Sequence, residues 1–156
     1  MTSLAGTPSM AAIERAVRAV EDPEYAGVTI GDLGMVWQVV VDDDAVHVEL
    51  VPTMPGCPAL AMIASDVRQA VAAVAPGTTV DVQFGTRRWD IARVSPHGRQ
   101  LLADGFAVTL RTRQGELRCP TCGSADLVPR SDVGSVRCRA VHWCPTCRNP
   151  VDELRA

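Results

Sequence analysis

Cysteine is almost missing from the first 118 residues: Cys57 stands alone there, and the other five lie between Cys119 and Cys147. So uneven a distribution excludes a secreted disulfide framework, which spreads its bridges through the chain. An excess of basic charge is missing too. With 15 Lys plus Arg against 18 Asp plus Glu the formal net charge is −3, and nothing calls for a phosphate backbone or an anionic lipid surface as partner. The opening MTSLAGTPSM has neither the basic start nor the apolar core of a signal peptide, and no run approaches the roughly 20 apolar residues of a membrane span. The expectations are a cytoplasmic location, no nucleic acid and no membrane. No His, Ser or carboxylate pair has the spacing of a nucleophile with its base, so the chain is not expected to be an enzyme.

What is present is ordinary globular material. Apolar residues make up 47% and charged ones 21%, enough to fold, and 156 residues suit a modest domain with a small appendage. A helix can start at Thr7 or Ser9 and carry Ile13, Ala16, Val17 and Val20 at helical spacing, until Asp22-Pro23 ends it. Val36 to Val41 and Ala45 to Val51 flank Asp42-Asp43-Asp44 as a hairpin, with Val46, Val48 and Leu50 on one face and His47 exposed on the other. A second helix is expected from Pro58, its apolar face marked by Leu60, Ile63, Val67, Val71 and Val74, stopping before Pro76-Gly77. Val80, Val82 and Phe84 alternate as a third strand. A last helix runs from about Pro96 to Asp104 and ends at Gly105. The order α, β, β, α, β, α predicts an α+β fold, a small sheet covered by helices. Residues 107–118 read as a polar linker.

Cys119-Pro120-Thr121-Cys122 and Cys144-Pro145-Thr146-Cys147 are near-copies of one turn, each offering two sulfurs to a tetrahedral ion. Together they predict a zinc ribbon whose ion is structural, since four protein sulfurs leave no open position for chemistry. A redox-active pair of Cys-x-x-Cys motifs is the competing reading. Cys138, a fifth thiol in this segment, is a possible extra ligand or a buried small side chain. His142, beside Trp143, reads as a strand residue. Cys57 lies between Gly56 and Pro58 at the expected start of a helix, where a positive helix end favours a thiolate; packing is the competing account. Asp32 reads as a turn cap, as do Asp22 and Glu24. Should the sheet bring Asp32 or Thr53 beside Cys57, their oxygens could join it at a metal.

Asp22-Pro23-Glu24, Asp32-Leu33-Gly34, Pro52-Thr53, Gly56-Cys57-Pro58-Ala59 and Gly98-Arg99, in that order, resemble the SufT-type iron–sulfur assembly domain. The stretch from Cys119 to Cys147 is similar to the tail of an accessory-subunit family of phenylacetyl-CoA epoxidases, which carries a cysteine at the Cys138 position. Departures occur: Val51 to Cys57 lacks the usual leading threonine and tyrosine, Trp89-Asp90-Ile91 lacks the usual paired threonines, and Gly105-Phe106-Ala107 lacks the following prolines. The resemblance implies an assembly domain over 8–106, a linker over 107–118 and a zinc ribbon over 119–156. It implies that Cys57 is the functional cysteine, with Asp32 and Thr53 in the same motif cluster binding iron or a cluster. Cys119, Cys122, Cys144 and Cys147 then hold structural zinc. The implied function is a maturation factor holding or delivering iron or an iron–sulfur cluster to an oxygenase or reductase client. Because one cysteine supplies one strong ligand, a homodimer, a small thiol or Cys138 would have to complete the site. The alternative is an adaptor that bridges oxygenase components without binding iron.

Overall fold

Ser9 opens helix α1, Met10–Arg18, by accepting the Ala12 amide on its hydroxyl at 3.2 Å, the expected cap. The computed structural model describes residues 9–42 and 45–155; Thr7, Asp43 and Asp44 lie outside the described residues. From α1, Ile13 and Val17 are buried. Strands β1, Val36–Val41, and β2, Ala45–Leu50, form the antiparallel hairpin, with an irregularity between Val36 and Gln38. Beside it Trp37 is exposed and stacked by the Arg87 and Arg93 guanidiniums, 4.5 and 4.6 Å from its ring centre. Helix α2, Leu60–Val74, crosses over to β3, Thr79–Phe84, which pairs parallel with β2. The sheet order is β1-β2-β3. Val46, Val48 and Leu50 are buried while His47 faces outward, as alternation on a half-buried strand requires.

Helix α2 starts at Leu60 rather than Pro58 because no side chain caps it: Ala59 precedes it in a helical conformation without a side-chain cap bond, and the Cys57 carbonyl takes the Leu60 amide at 3.2 Å. Its buried stripe is Ile63, Ala64, Val67 and Val71; Leu60 is half-buried and Val74 is exposed. The third helix, α3, Pro96–Phe106, is capped by Ser95 and runs through Gly105 to Phe106, two residues past the expected end. Its stop signal is Ala107, in the left-handed region at φ 52°, where glycine is usual.

Helices α1 and α2 pack on the sheet and on each other, whereas α3 packs on the loop before β1. Gly98 makes that approach possible: a Cβ there would lie 2.9 Å from both the Asp32 Cβ and its carbonyl oxygen. Phe106 meets Tyr25 edge-on, with ring centres 5.2 Å apart. Between β3 and α3, Trp89 is buried and donates its indole N–H to the Leu33 carbonyl at 2.7 Å.

A second sheet follows, built from β4, Val108–Thr109; β5, Val128–Ser131; β6, Arg139–Cys144; and β7, Asn149–Leu154. Its order is β4-β7-β6-β5. Within the stretch read as a linker, Val108 and Thr109 are buried and pair parallel with β7, so the first residues after α3 enter this sheet directly. Val108, Cys138 and Leu154 belong to the main hydrophobic core, and only Cys119, Cys144 and Val151 form a separate small one. The two sheets thus share one apolar interior.

Candidate functional site

The two cysteine turns have the same backbone. In the first, the Gly123 amide donates to the Cys119 carbonyl at 2.8 Å with Gly123 at φ 75°; in the second, the Arg148 amide donates to the Cys144 carbonyl at 2.8 Å with Arg148 at φ 59°. Glycine takes that conformation freely and arginine does not, so the second turn holds backbone strain that the first does not. All four sulfurs lie within 4.8 Å of one another, and the Cys119–Cys147 and Cys122–Cys144 pairs are each 3.6 Å apart. Four ligands at about 2.3 Å from zinc would define a tetrahedron with edges of about 3.8 Å, so the residues fit that ion. The donor chemistry agrees. At Cys122 the Ser124 amide favours the thiolate, but desolvation and hydrogen bonds with Cys144, Cys119 and Cys147 outweigh it and push the thiol up to about 12. Cys144, which the Cys147 amide helps most against its own desolvation, falls to about 6. Sulfurs this crowded ionise together only around a cation.

Cys138 is outside this cluster. It is 5% exposed, one residue before β6, and its thiol points at the Glu24 carboxylate, Sγ to Oε2 3.8 Å. Burial first, and then the Glu24 charge, push this thiol up to about 11. His142 is outside the four-sulfur cluster as well: its Nε2 lies 2.9 Å from Glu153 Oε2, and Arg111 donates to both oxygens of that carboxylate, at 2.9 Å to Oε1 and 3.1 Å to Oε2.

Cys57 follows Gly56, at φ 76°, in a turn closed by its amide on the Met54 carbonyl at 3.4 Å. It is half-buried, three residues ahead of α2 rather than at the first turn of the helix. It lines a cleft of about 500 Å³ together with Glu24, Val136, Arg137 and Cys138. A narrow inner recess continues from it, lined by Thr53, Asp22 and Tyr25 among others and again by Cys57 and Cys138. At about 10 Å³ this recess has room for about one water and no more. The structure therefore brings Cys57, Thr53 and Cys138 together. Asp32 is not part of either lining. Its carboxylate accepts the Ser95 hydroxyl at 2.7 Å and the Thr29 hydroxyl at 2.8 Å, and it braces the loop before β1 against the start of α3.

The seam between the two halves is fastened by Arg139. It donates from Nε to the Tyr25 hydroxyl at 2.9 Å, stacks 4.5 Å over the Tyr25 ring, and reaches Asp152 at 3.3 Å. Glu24, Tyr25 and Arg139 are the residues that reading along the chain misses, because no spacing ties the loop after α1 to the start of β6. The signal available was the Asp22-Pro23-Glu24 motif itself, read there as a turn.

Residues 10–83 match the model of a family described as iron–sulfur cluster assembly protein, and residues 103–155 match the PaaD zinc beta ribbon domain. The two matches lie in tandem, an iron–sulfur assembly domain followed by a zinc-ribbon domain. It is 28% identical over 143 residues to an Escherichia coli (strain K12) protein described as a subunit of 1,2-phenylacetyl-CoA epoxidase, covering 87% of this chain and 86% of that one. Two solved structures resemble part of the chain. One is a domain of unknown function from Bacillus anthracis, at TM-score 0.54 and 28% identity over 59% of this chain and 89% of that one. The other is a conserved hypothetical protein from Thermotoga maritima, at TM-score 0.52 and 28% identity over 64% and 96%. Both matched families are characteristic of non-catalytic assembly and adaptor proteins. Within the ribbon the four-cysteine cluster is capable of metal coordination, and no helix among the described residues is long and apolar enough to cross a membrane.

Proposed function

We propose that this chain is a cytoplasmic maturation factor that holds or passes iron, or an iron–sulfur cluster, to an oxygenase or reductase of the phenylacetyl-CoA epoxidase type. The observation that carries the reading is the position of Cys57: a free, half-buried thiol at the mouth of an open cleft, on the assembly-family half of the chain, separate from the four sulfurs of the ribbon. Zinc in the ribbon is then structural, and iron at Cys57 is cargo.

In this reading Cys57 is the sulfur donor and Thr53 lends an oxygen from the inner recess. Asp32 acts from outside by fixing the loop that carries the family motif. The assembly unit is 8–106 and the ribbon 119–156; residues 107–118 between them lead into the ribbon, with Val108 and Thr109 already paired in its sheet, and the ribbon faces the client. Support for an oxygenase-type client comes from the likeness to the Escherichia coli protein along most of both chains.

The test is anaerobic reconstitution with ferrous iron and sulfide, counting iron, sulfide and zinc per chain in the wild type and Cys57→Ser. One zinc in both proteins, with iron retained in the wild type alone, is the expected result. Equal iron in the two, or none in either, sinks the reading and leaves the adaptor as the better account.

A further inference from the structure

We infer that two adjoining hollows on the seam between the halves, lined by Arg88, Arg99, Arg111, Arg113 and Arg155, form a docking groove for an acidic segment of a client protein. The inference rests on the part of the proposed function that gives the chain a protein client, and it is independent of iron at Cys57.

The chain carries a net charge of −3 and no lysine, so all 15 of its basic residues are arginine, and five of those 15 line this one surface. The first hollow, of about 550 Å³, has residues 88–91 of the assembly half on it together with Arg111, Thr112 and Arg155 of the other half. The second, of about 290 Å³, adds Arg99 and Arg113, and Ile91, Arg111 and Thr112 line both. Because each half supplies arginines, the groove is complete only while the two are packed. Two carboxylates share the lining. Glu153 is buried and already bound by Arg111 and His142, which leaves four arginines against one exposed carboxylate, Asp90. Asp90 itself accepts the Ala92 amide at 2.8 Å.

The four arginines are available for a partner. Arg88 and Arg113 are exposed and have no hydrogen-bond or ion-pair partner among the described residues. Arg155 reaches only the backbone and side chain of Asp132, whose side chain is 94% exposed, a pair that water screens. Arg99 donates to the Val94 and Ile91 carbonyls at 3.3 and 2.6 Å, and a guanidinium fixed in advance loses little freedom when an anion arrives.

The character of the groove selects the occupant. Both hollows are open to solvent, whereas a small molecule needs most of its surface enclosed, so a segment of a larger partner fits better. Guanidinium forks match carboxylates two oxygens at a time, and half-buried Ile91 in both linings offers apolar contact between them. The complement is a stretch of Asp or Glu interspersed with apolar residues. A nucleic-acid backbone is the poorer match, because Asp90 in the lining and the net charge of −3 repel a long polyanion.

The experiment uses the full chain with its zinc counted, and the probe is a fluorescein-labelled synthetic peptide of glutamates interspersed with leucines, read by anisotropy at low salt. Arg88→Glu and Arg113→Glu should each weaken binding about tenfold, and Arg113→Gln, which only removes the charge, about threefold. Arg68→Glu and Arg130→Glu make the same change of net charge at an exposed position in each half, and should bind as the wild type does. Affinity should fall as salt rises, and a peptide with glutamine in place of glutamate should not bind. Equal weakening at the groove and control positions overturns the proposal. So does tighter binding of a single-stranded oligonucleotide, release of the peptide by inorganic phosphate at an ionic strength where chloride does not release it, or self-association of the chain that Arg113→Glu abolishes. Iron uptake measured on the same variants separates the two readings: failure of the peptide pattern with Cys57-dependent iron intact overturns the groove alone, and the peptide pattern without iron supports the groove and overturns only the role of Cys57.

Discussion

Asp32 shows how a residue can sit in a functional motif without touching the functional cleft. Desolvation would raise its pKa, but hydrogen bonds from Ser95 and Thr29 prevail and hold the carboxyl below its ordinary 3.8. A carboxyl depressed in the folded state adds stability that is fully present above 3.8 and is lost as pH falls through the folded value. Asp32→Asn should therefore cost about 1 kcal/mol at neutral pH, at the low end because water still screens the site. It should also flatten the acid limb of stability against pH. Urea denaturation at several pH values checks both, and an unchanged acid limb would show that Asp32 is not a brace. Asp32 was legible as a turn cap from its neighbours alone; its second partner, Ser95, was not, because that contact spans two loops. Ser9 and its cap were legible for the opposite reason, since both partners lie within one turn of the chain.

Elements were read best where periodicity is strong and worst where a backbone state decides. The hairpin strands follow their alternating pattern, and β3 runs where Val80, Val82 and Phe84 place it. The ends of α2 and α3 moved by about two residues, because Pro58 offers no capping side chain and Gly105 accepts the helix. The β4 strand was hidden: two residues give too short a pattern to recognise, and its partner β7 lies at the far end of the sequence. Ala107, which turns the chain from α3 into β4, invites a test. Its left-handed backbone costs a Cβ-bearing residue about 1 kcal/mol, partly offset because glycine leaves the unfolded chain freer. Ala107→Gly should stabilise the protein by about 0.5 kcal/mol, read as a higher urea midpoint at constant slope. A lower midpoint would mean that the methyl group packs at the junction.

On the scale of the whole molecule, the two halves are expected to unfold together. Val108, Cys138 and Leu154 from the second half are buried in the core of the first, and Arg139 is tied to Tyr25. Removing zinc should then reach beyond the ribbon. Treatment with a strong chelator is expected to lower the melting temperature of the assembly domain and to speed proteolysis around Tyr25, detected by mass spectrometry of the fragments. An unaltered assembly-domain transition would show that the halves are independent. This coupling is where sequence reading stopped. Each half carries its own motif, so both were visible, but the contact between them depends on tertiary packing with no pattern along the chain.

The shared wall at Cys138 also bears on birth order. A ribosome releases the assembly domain first, and Val136, Arg137 and Cys138, which help line the Cys57 cleft, emerge after it. A nascent chain therefore presents Cys57 on an unfinished surface, and the enclosure exists only once the final strands have folded around their own ion. On the proposed function, zinc supply would set the moment at which the protein becomes competent to receive iron.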